Sequence, residues 1–162
     1  MPKSRLNATA DETPAGHLAA AGLRHVLGYQ LAQAGVVCTR VFMREVGDAH
    51  DLRPVEYTVL HLIAENPACS SVRLAKALSV TKPNITMWVE RLVARGLVQR
   101  TPSASDKRSH ELRATAAGAA LVARATQSLV AGEAAALAHL SPGERVMLAE
   151  LLHKLARGAA RS

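Results

Sequence analysis

Apolar residues recur along most of the chain at helical spacing, and the places where that rhythm breaks divide it into helices and one hairpin. Over residues 17–46, Leu23, Val26, Leu27, Gln30, Ala34, Val37, Val41 and Phe42 keep to one broad stripe, which predicts a long amphipathic helix. Such a helix covers little of its own stripe and needs a partner. Asp51, Leu52, Arg53 and Pro54 punctuate the chain, and a second helix follows with Val55, Val59, Leu60, Leu62 and Ile63 apolar, ended by Asn66 and Pro67. Ser71 offers an N-cap to a short helix whose Val72, Leu74, Ala75 and Leu78 form an apolar edge. After a break at Ser79 and Val80 comes another helix, with Thr81 or Lys82 at its cap, Pro83 in the first turn and Gly96 at its stop.

Residues 97–100 and 111–115 read as two short strands, and the polar run between them as a turn-rich loop. Residues 116–139 form an alanine-rich helix with Leu121, Val122, Ala125, Leu129 and Val130 as its apolar members. Ser141, Pro142 and Glu144 make a capping box that opens a last helix, with Leu148, Leu151, Leu152 and Leu155 at i, i+3, i+4 and i+7. Helix, turn, helix and hairpin in that order describe a winged helix-turn-helix, so the expected fold is mainly α with a small β-hairpin wing. The expected organisation is one compact chain: a mobile arm over residues 1–15, a winged DNA-binding lobe over 51–115, and helices over 16–50 and 116–162 that pair two copies. With one Phe, one Trp and two Tyr in the chain, its core is aliphatic.

Composition narrows the function. The chain has 162 residues, 49% of them apolar and 20% charged, which excludes a disordered or collagen-like protein. No apolar run reaches the ~18–20 residues of a membrane span. The first residues carry Asp11 and Glu12 in place of a continuous apolar stretch, so the expectation is a cytoplasmic protein without a membrane partner. Cys38 and Cys69 are too few for a disulfide framework and are expected as free thiols, with Cys38 buried on the first helix stripe. The seven histidines lack the close spacing of a zinc site. No G-x-S-x-G, glycine-rich phosphate loop or H-E-x-x-H occurs, so neither an enzyme nor a cofactor is implied.

The formal net charge is +7, and it is concentrated. Between Val72 and Arg113 stand nine basic residues (Arg73, Lys76, Lys82, Arg91, Arg95, Arg100, Lys107, Arg108, Arg113) against three acidic ones (Glu90, Asp106, Glu111). A field localised on a helix-turn-helix attracts phosphates, which favours nucleic acid as the partner.

The run from Leu74 to Gly118 resembles the MarR family of bacterial transcriptional regulators. The resemblance lies in an L-A-x-x-L helix, a Thr-Lys-Pro lead-in at Thr81 to Pro83, an R-L-x-x-R-G-L-V-x-R exit at Arg91 to Arg100, a wing element at Asp106, Lys107 and Arg108, and Thr115-x-x-Gly118. Pro54, Glu56, Tyr57, Val59 and Leu60 resemble that family's second helix, and the likeness spans roughly residues 17–158. Met87 departs from it, standing where the family often has an arginine. Trp88 replaces a smaller aliphatic residue, and Ala114 the leucine usual before Thr115.

With Ile85, Val89 and Leu92 as the buried side of the fourth helix, the residues left for DNA are Thr81, Lys82, Asn84, Thr86, Met87 and Arg91. Asn84 suits an adenine, Thr86 or Met87 a thymine methyl, and Lys82 a phosphate. Glu90 either accepts from a cytosine or fixes Arg91. Lys107 and Arg108 at the wing tip suit the minor groove, with Asp106 orienting Arg108.

The resemblance implies a homodimer on a pseudo-palindromic double-stranded DNA operator. It also implies a crevice for a small aromatic acid or phenol, such as a hydroxybenzoate or hydroxylated pyridine carboxylate, whose binding lowers DNA affinity. Arg24, His25, Tyr57 and His61 are the polar groups on otherwise apolar helices that suit this effector. Two alternatives remain at this point: a thiol-based redox-sensing repressor using Cys38, which a serine there would disable, and an effector-independent DNA-binding protein.

Overall fold

The computed structural model describes residues 12–102 and 110–159, and the chain divides into two compact units, Met1–Val41 and Phe42–Ser162. In the first unit, residues 12–19 turn back on themselves. Thr13 N–H donates to the Leu18 carbonyl at 2.8 Å, with Gly16 and His17 both at positive φ. A single 3-10 turn at Ala21–Leu23 follows, and helix α1 runs only over Leu27–Phe42. The helix expected from residue 17 therefore starts ten residues later: Gly16 and His17 take left-handed backbone and Ala21–Leu23 form a separate 3-10 turn before it. Leu23, Val26, Leu27 and Val37 of its stripe are exposed, and so is Cys38, which corrects the expectation of a buried thiol there. Cys69 is the buried cysteine. Burial pushes its thiol above the ordinary value, with the nearby Arg73 charge pulling part of the way back.

In the second unit the chain leaves α1 through a π-turn at Met43–Gly47 and one helical turn at Asp48–His50, and reverses at Asp51, φ 46°. Helix α2 spans Pro54–Glu65. Proline occupies its first turn, and Glu56 accepts the Arg53 N–H at 3.0 Å. Helix α3 spans Ser71–Leu78, and its N-cap is Ser70, not Ser71: the Ser70 hydroxyl accepts the Arg73 N–H at 3.3 Å. Val72 is exposed, leaving Leu74 as the buried member of the edge expected for this helix.

Ser79, at φ 52°, ends α3 in the left-handed region, and the Val80 N–H returns to the Ala75 carbonyl at 3.0 Å. That tight turn sets up helix α4, Lys82–Ala94, with Pro83 in its first turn and Gly96 at φ 67° beyond its end.

Strands β1 (Val98–Pro102) and β2 (His110–Ala114) pair antiparallel, with Val98 opposite Ala114 and Arg100 opposite Leu112. β1 starts one residue after, and β2 ends one residue before, the expected ranges because Leu97 and Thr115 do other work. The Leu97 carbonyl accepts the Thr115 N–H at 3.0 Å, while the Thr115 hydroxyl donates to Gly96 O at 2.7 Å and accepts the Gly118 N–H at 3.0 Å. Thr115 thereby caps helix α5, Ala116–Ala136, shorter than expected at its C-terminus and with Val130 exposed.

Ser141 and Glu144 form the anticipated reciprocal cap of helix α6, Pro142–Ala159, with N–H to side-chain distances of 2.7 and 3.3 Å. Hydrogen bonding from the Ser141 N–H, and then from the Ser141 side chain, holds the Glu144 carboxyl below the usual carboxylate range.

The core of this unit is aliphatic. Val46, Leu52, Val59, Leu60, Ile63, Leu74, Ile85, Val89, Leu92, Leu112 and Ala125 are buried, with Phe42 the buried aromatic. It joins α2, α3, α4, the hairpin and the first half of α5 into one lobe.

Candidate nucleic-acid interface

Helix α4 buries Ile85, Val89 and Leu92 and so leaves its opposite side to solvent. Thr81, Lys82, Asn84 and Met87 are exposed there, and Thr86 is half-buried with its hydroxyl donating to the Lys82 carbonyl at 3.1 Å. Trp88 is half-buried against the core. Lys107, Arg108 and Asp106, the wing-tip residues, lie outside the described residues.

Arg91 is placed differently from the sequence expectation. Its Nη1 lies 2.9 Å from Oε1 of Glu56, which is 1% exposed. Glu90, considered above as the partner of Arg91, instead lies 3.9 Å from Arg100.

Beside the first turn of α4 is a polar concavity of about 200 Å³, lined by Ser70, Ser71, Val72, Lys82, Thr86, Arg100, His110 and Leu112. Three elements bring basic side chains to it: α4 gives Lys82, β1 Arg100 and β2 His110. Among the described residues no acidic one lines it. The first N–H groups of α3 and α4 lie in the same region, so a phosphate oxygen would meet both positive charge and donors there. Sequence reasoning found Lys82 but missed Ser70, Arg100 and His110. The signal was the alternation of the two strands, which puts Arg100 and His110 on residues two apart in the ladder register.

The residues suggested for an effector fall in both units. Arg24 and His25 are exposed in the first. In the second, Tyr57 Oη is 2.7 Å from Thr126 Oγ1, and its ring centroid is 5.7 Å from those of Phe42 and His61. His61 Nε2 lies 3.0 Å from Glu65, while its Nδ1 is buried with no hydrogen-bond partner. That ring edges an open groove of about 500 Å³ between α2 and α5, otherwise lined by Ala64, Ala119, Val122, Ala123, Thr126, Gln127 and Val130. Among the described residues no group of three His, Cys, Asp or Glu is placed to hold a metal ion, and no helix is long and apolar enough to cross a membrane.

A helix presented by a tight turn, flanked by a hairpin and backed by basic side chains, defines a winged helix-turn-helix DNA-binding protein. Known proteins agree. Residues 50–109 match the MarR family model. The chain is 32% identical over 135 residues to the HTH-type transcriptional repressor NicR of Pseudomonas putida, covering 80% of this chain and 81% of that one. Among solved structures it is similar to the transcriptional repressor CouR bound to a 23-mer DNA duplex, with 34% identity, a TM-score of 0.78, and coverage of 86% of this chain and 98% of that one. It is likewise similar to a mutant MarR from Escherichia coli complexed with operator DNA, with 27% identity, a TM-score of 0.71, and coverage of 80% and 92%. The chain belongs to the MarR family: it is a DNA-binding transcriptional regulator and not an enzyme.

Proposed function

We propose that the protein is a repressor that grips a pseudo-palindromic operator as a homodimer and is released by a small aromatic acid or phenol. The observation that carries this reading is apolar surface left open on the single chain. On α6, Leu148, Leu151, Leu152 and Leu155 are 41–54% exposed along one stripe, and Leu27, Leu31 and Val37 are exposed on α1. A contiguous stripe of this kind marks an interface. One recognition helix reads few base pairs, so a second copy supplies the other half-site. NicR and CouR, both called repressors, support repression as the outcome of binding.

For the effector, the α2–α5 groove offers apolar walls for a ring, and the unpartnered His61 Nδ1 offers a polar atom for a carboxylate or phenol. Release requires only that such a ligand bind the DNA-unfit arrangement of the pair better than the fit one. Thr81, Lys82, Asn84, Thr86 and Met87 then face the duplex, with Lys107 and Arg108 at the wing.

A thermal-shift screen of hydroxybenzoates and hydroxylated pyridine carboxylates tests the effector. At ligand near 100 times Kd the folded state gains about 2.7 kcal/mol, or roughly 5 °C in Tm. A compound that does this should also release DNA, and His61→Ala should lose the shift while still binding DNA. A shift that survives His61→Ala places the effector elsewhere, and a screen in which no compound both stabilises the protein and frees DNA overturns this class of effector.

A further inference from the structure

Arg91 on helix α4 and Arg95, one turn on and just past its end, both reach back to the chain that leads into α2. Arg91 Nη1 meets Oε1 of Glu56 at 2.9 Å, and Arg95 donates from Nη1 to the Asp51 carbonyl and from Nη2 to the His50 carbonyl, each at 2.6 Å. The other oxygen of Glu56 accepts the Arg53 N–H at 3.0 Å. The segment from His50 to Glu56, through which the chain enters α2, is thus tied to the end of α4 and the residue beyond it at three points.

We propose that Glu56, Arg91 and Arg95 form a positioning latch that sets the attitude of α4 on the lobe. On this account Arg91 acts on DNA through Glu56 and does not itself contact a phosphate. The inference rests on the reading of α4 as the helix that enters the groove.

The physical case begins with what the ion pair does not do. Burying a carboxylate and an arginine together is no more stabilising than packing two apolar side chains of like size. What the pair adds is direction. Ile85, Val89 and Leu92 hold α4 to the core through aliphatic contacts, which are non-directional and tolerate rotation of the helix about its axis. A rotation of about 20° at a side-chain radius near 6 Å displaces Asn84 by roughly 2 Å, far more than a bidentate base contact allows. The Arg91–Glu56 ion pair, whose carboxylate is held by the Arg53 N–H, and the charge-assisted bonds of Arg95 to two backbone carbonyls remove that freedom. Glu56 is suited to it because its carboxylate joins the α2 cap to α4 in one group.

The test uses the full chain and two duplexes of equal length, one selected by the wild-type protein from a random pool and one scrambled, with binding measured across a salt series. Arg91→Met and Glu56→Gln should each weaken the selected duplex about tenfold, leave the scrambled duplex within about twofold, and keep the salt slope unchanged. The double variant should be no weaker than the worse single one, since both break the same link. Arg91→Lys should behave like Arg91→Met, because a lysine serves a phosphate but does not reproduce the guanidinium geometry. Arg95→Gln should show the same loss of discrimination.

The proposal fails if Arg91→Met weakens both duplexes alike with a slope smaller by about one, if Arg91→Lys matches the wild type, or if the two single effects add. Should Glu56→Gln not fold, Arg91→Lys decides alone. Asn84→Ala separates the two levels. If it loses discrimination while the latch variants do not, only the latch is wrong; if it changes nothing, the reading of α4 itself falls.

Discussion

Replacing Gly118 by alanine is expected to cost the folded protein about 3 kcal/mol or more, against the usual gain of about 1 kcal/mol from removing a glycine from a helix. Gly118 sits in the first turn of α5, where its N–H meets the Thr115 hydroxyl. A Cβ at that position would collide with the Leu97 carbonyl oxygen and lie 3.0 Å from its carbon. Both are backbone atoms, and the same carbonyl already accepts the Thr115 N–H. Relief therefore requires α5 to lift off the base of the wing. In chemical denaturation the midpoint should fall with the slope unchanged.

Gly132 provides the contrast. A Cβ there meets the Glu45 side chain, at 2.5 Å from Cγ, and a flexible side chain can move aside. Gly132→Ala should cost much less. A Gly118→Ala protein as stable as the wild type would show that the contact of α5 with Leu97 does not hold the wing.

Removing both cations of the concavity, Lys82→Ala with Arg100→Ala, should weaken the selected and scrambled duplexes together by about tenfold to a hundredfold. The slope of log affinity against log salt should shrink by about one to two, since each phosphate neutralised contributes about 0.9. Lys82 and Arg100 come from different elements, line one depression with His110, and among the described residues meet no carboxylate inside it. Glu90, 3.9 Å from Arg100 and largely exposed, does not remove that charge from solvent. An unchanged slope would mean that no phosphate sits there. Loss on the selected duplex alone would make these residues readers of sequence, contrary to the assignment.

The contrast between those charge contacts and the latch shows what could be read from the sequence. The winged lobe was legible because its signals are local: Pro83 and Gly96 bracket α4, Ser141 and Glu144 cap α6, and Ile85, Val89 and Leu92 recur at helical spacing. Each of these stands where the spacing put it. The start of α1 was not legible, since an alanine-rich run suggests helix while Gly16 and His17 adopt left-handed backbone and fold residues 12–19 into a turn.

Long-range pairings were out of reach altogether. Glu56 reads as an ordinary residue in a helix first turn, and nothing near it announces Arg91. Arg100 and His110 converge only when the strands pair, and Ser70 took the cap expected of Ser71 because α3 begins one residue after it. Cys38 was expected inside because its neighbours are apolar, but the stripe it shares is exposed on the single chain.

On its operator the protein is expected to seat two copies of the lobe on one duplex. Native mass measurement of the complex with the selected duplex tests this directly. Two chains per duplex, together with a dimer in the absence of DNA, is the predicted result; a single chain bound at saturation would contradict it.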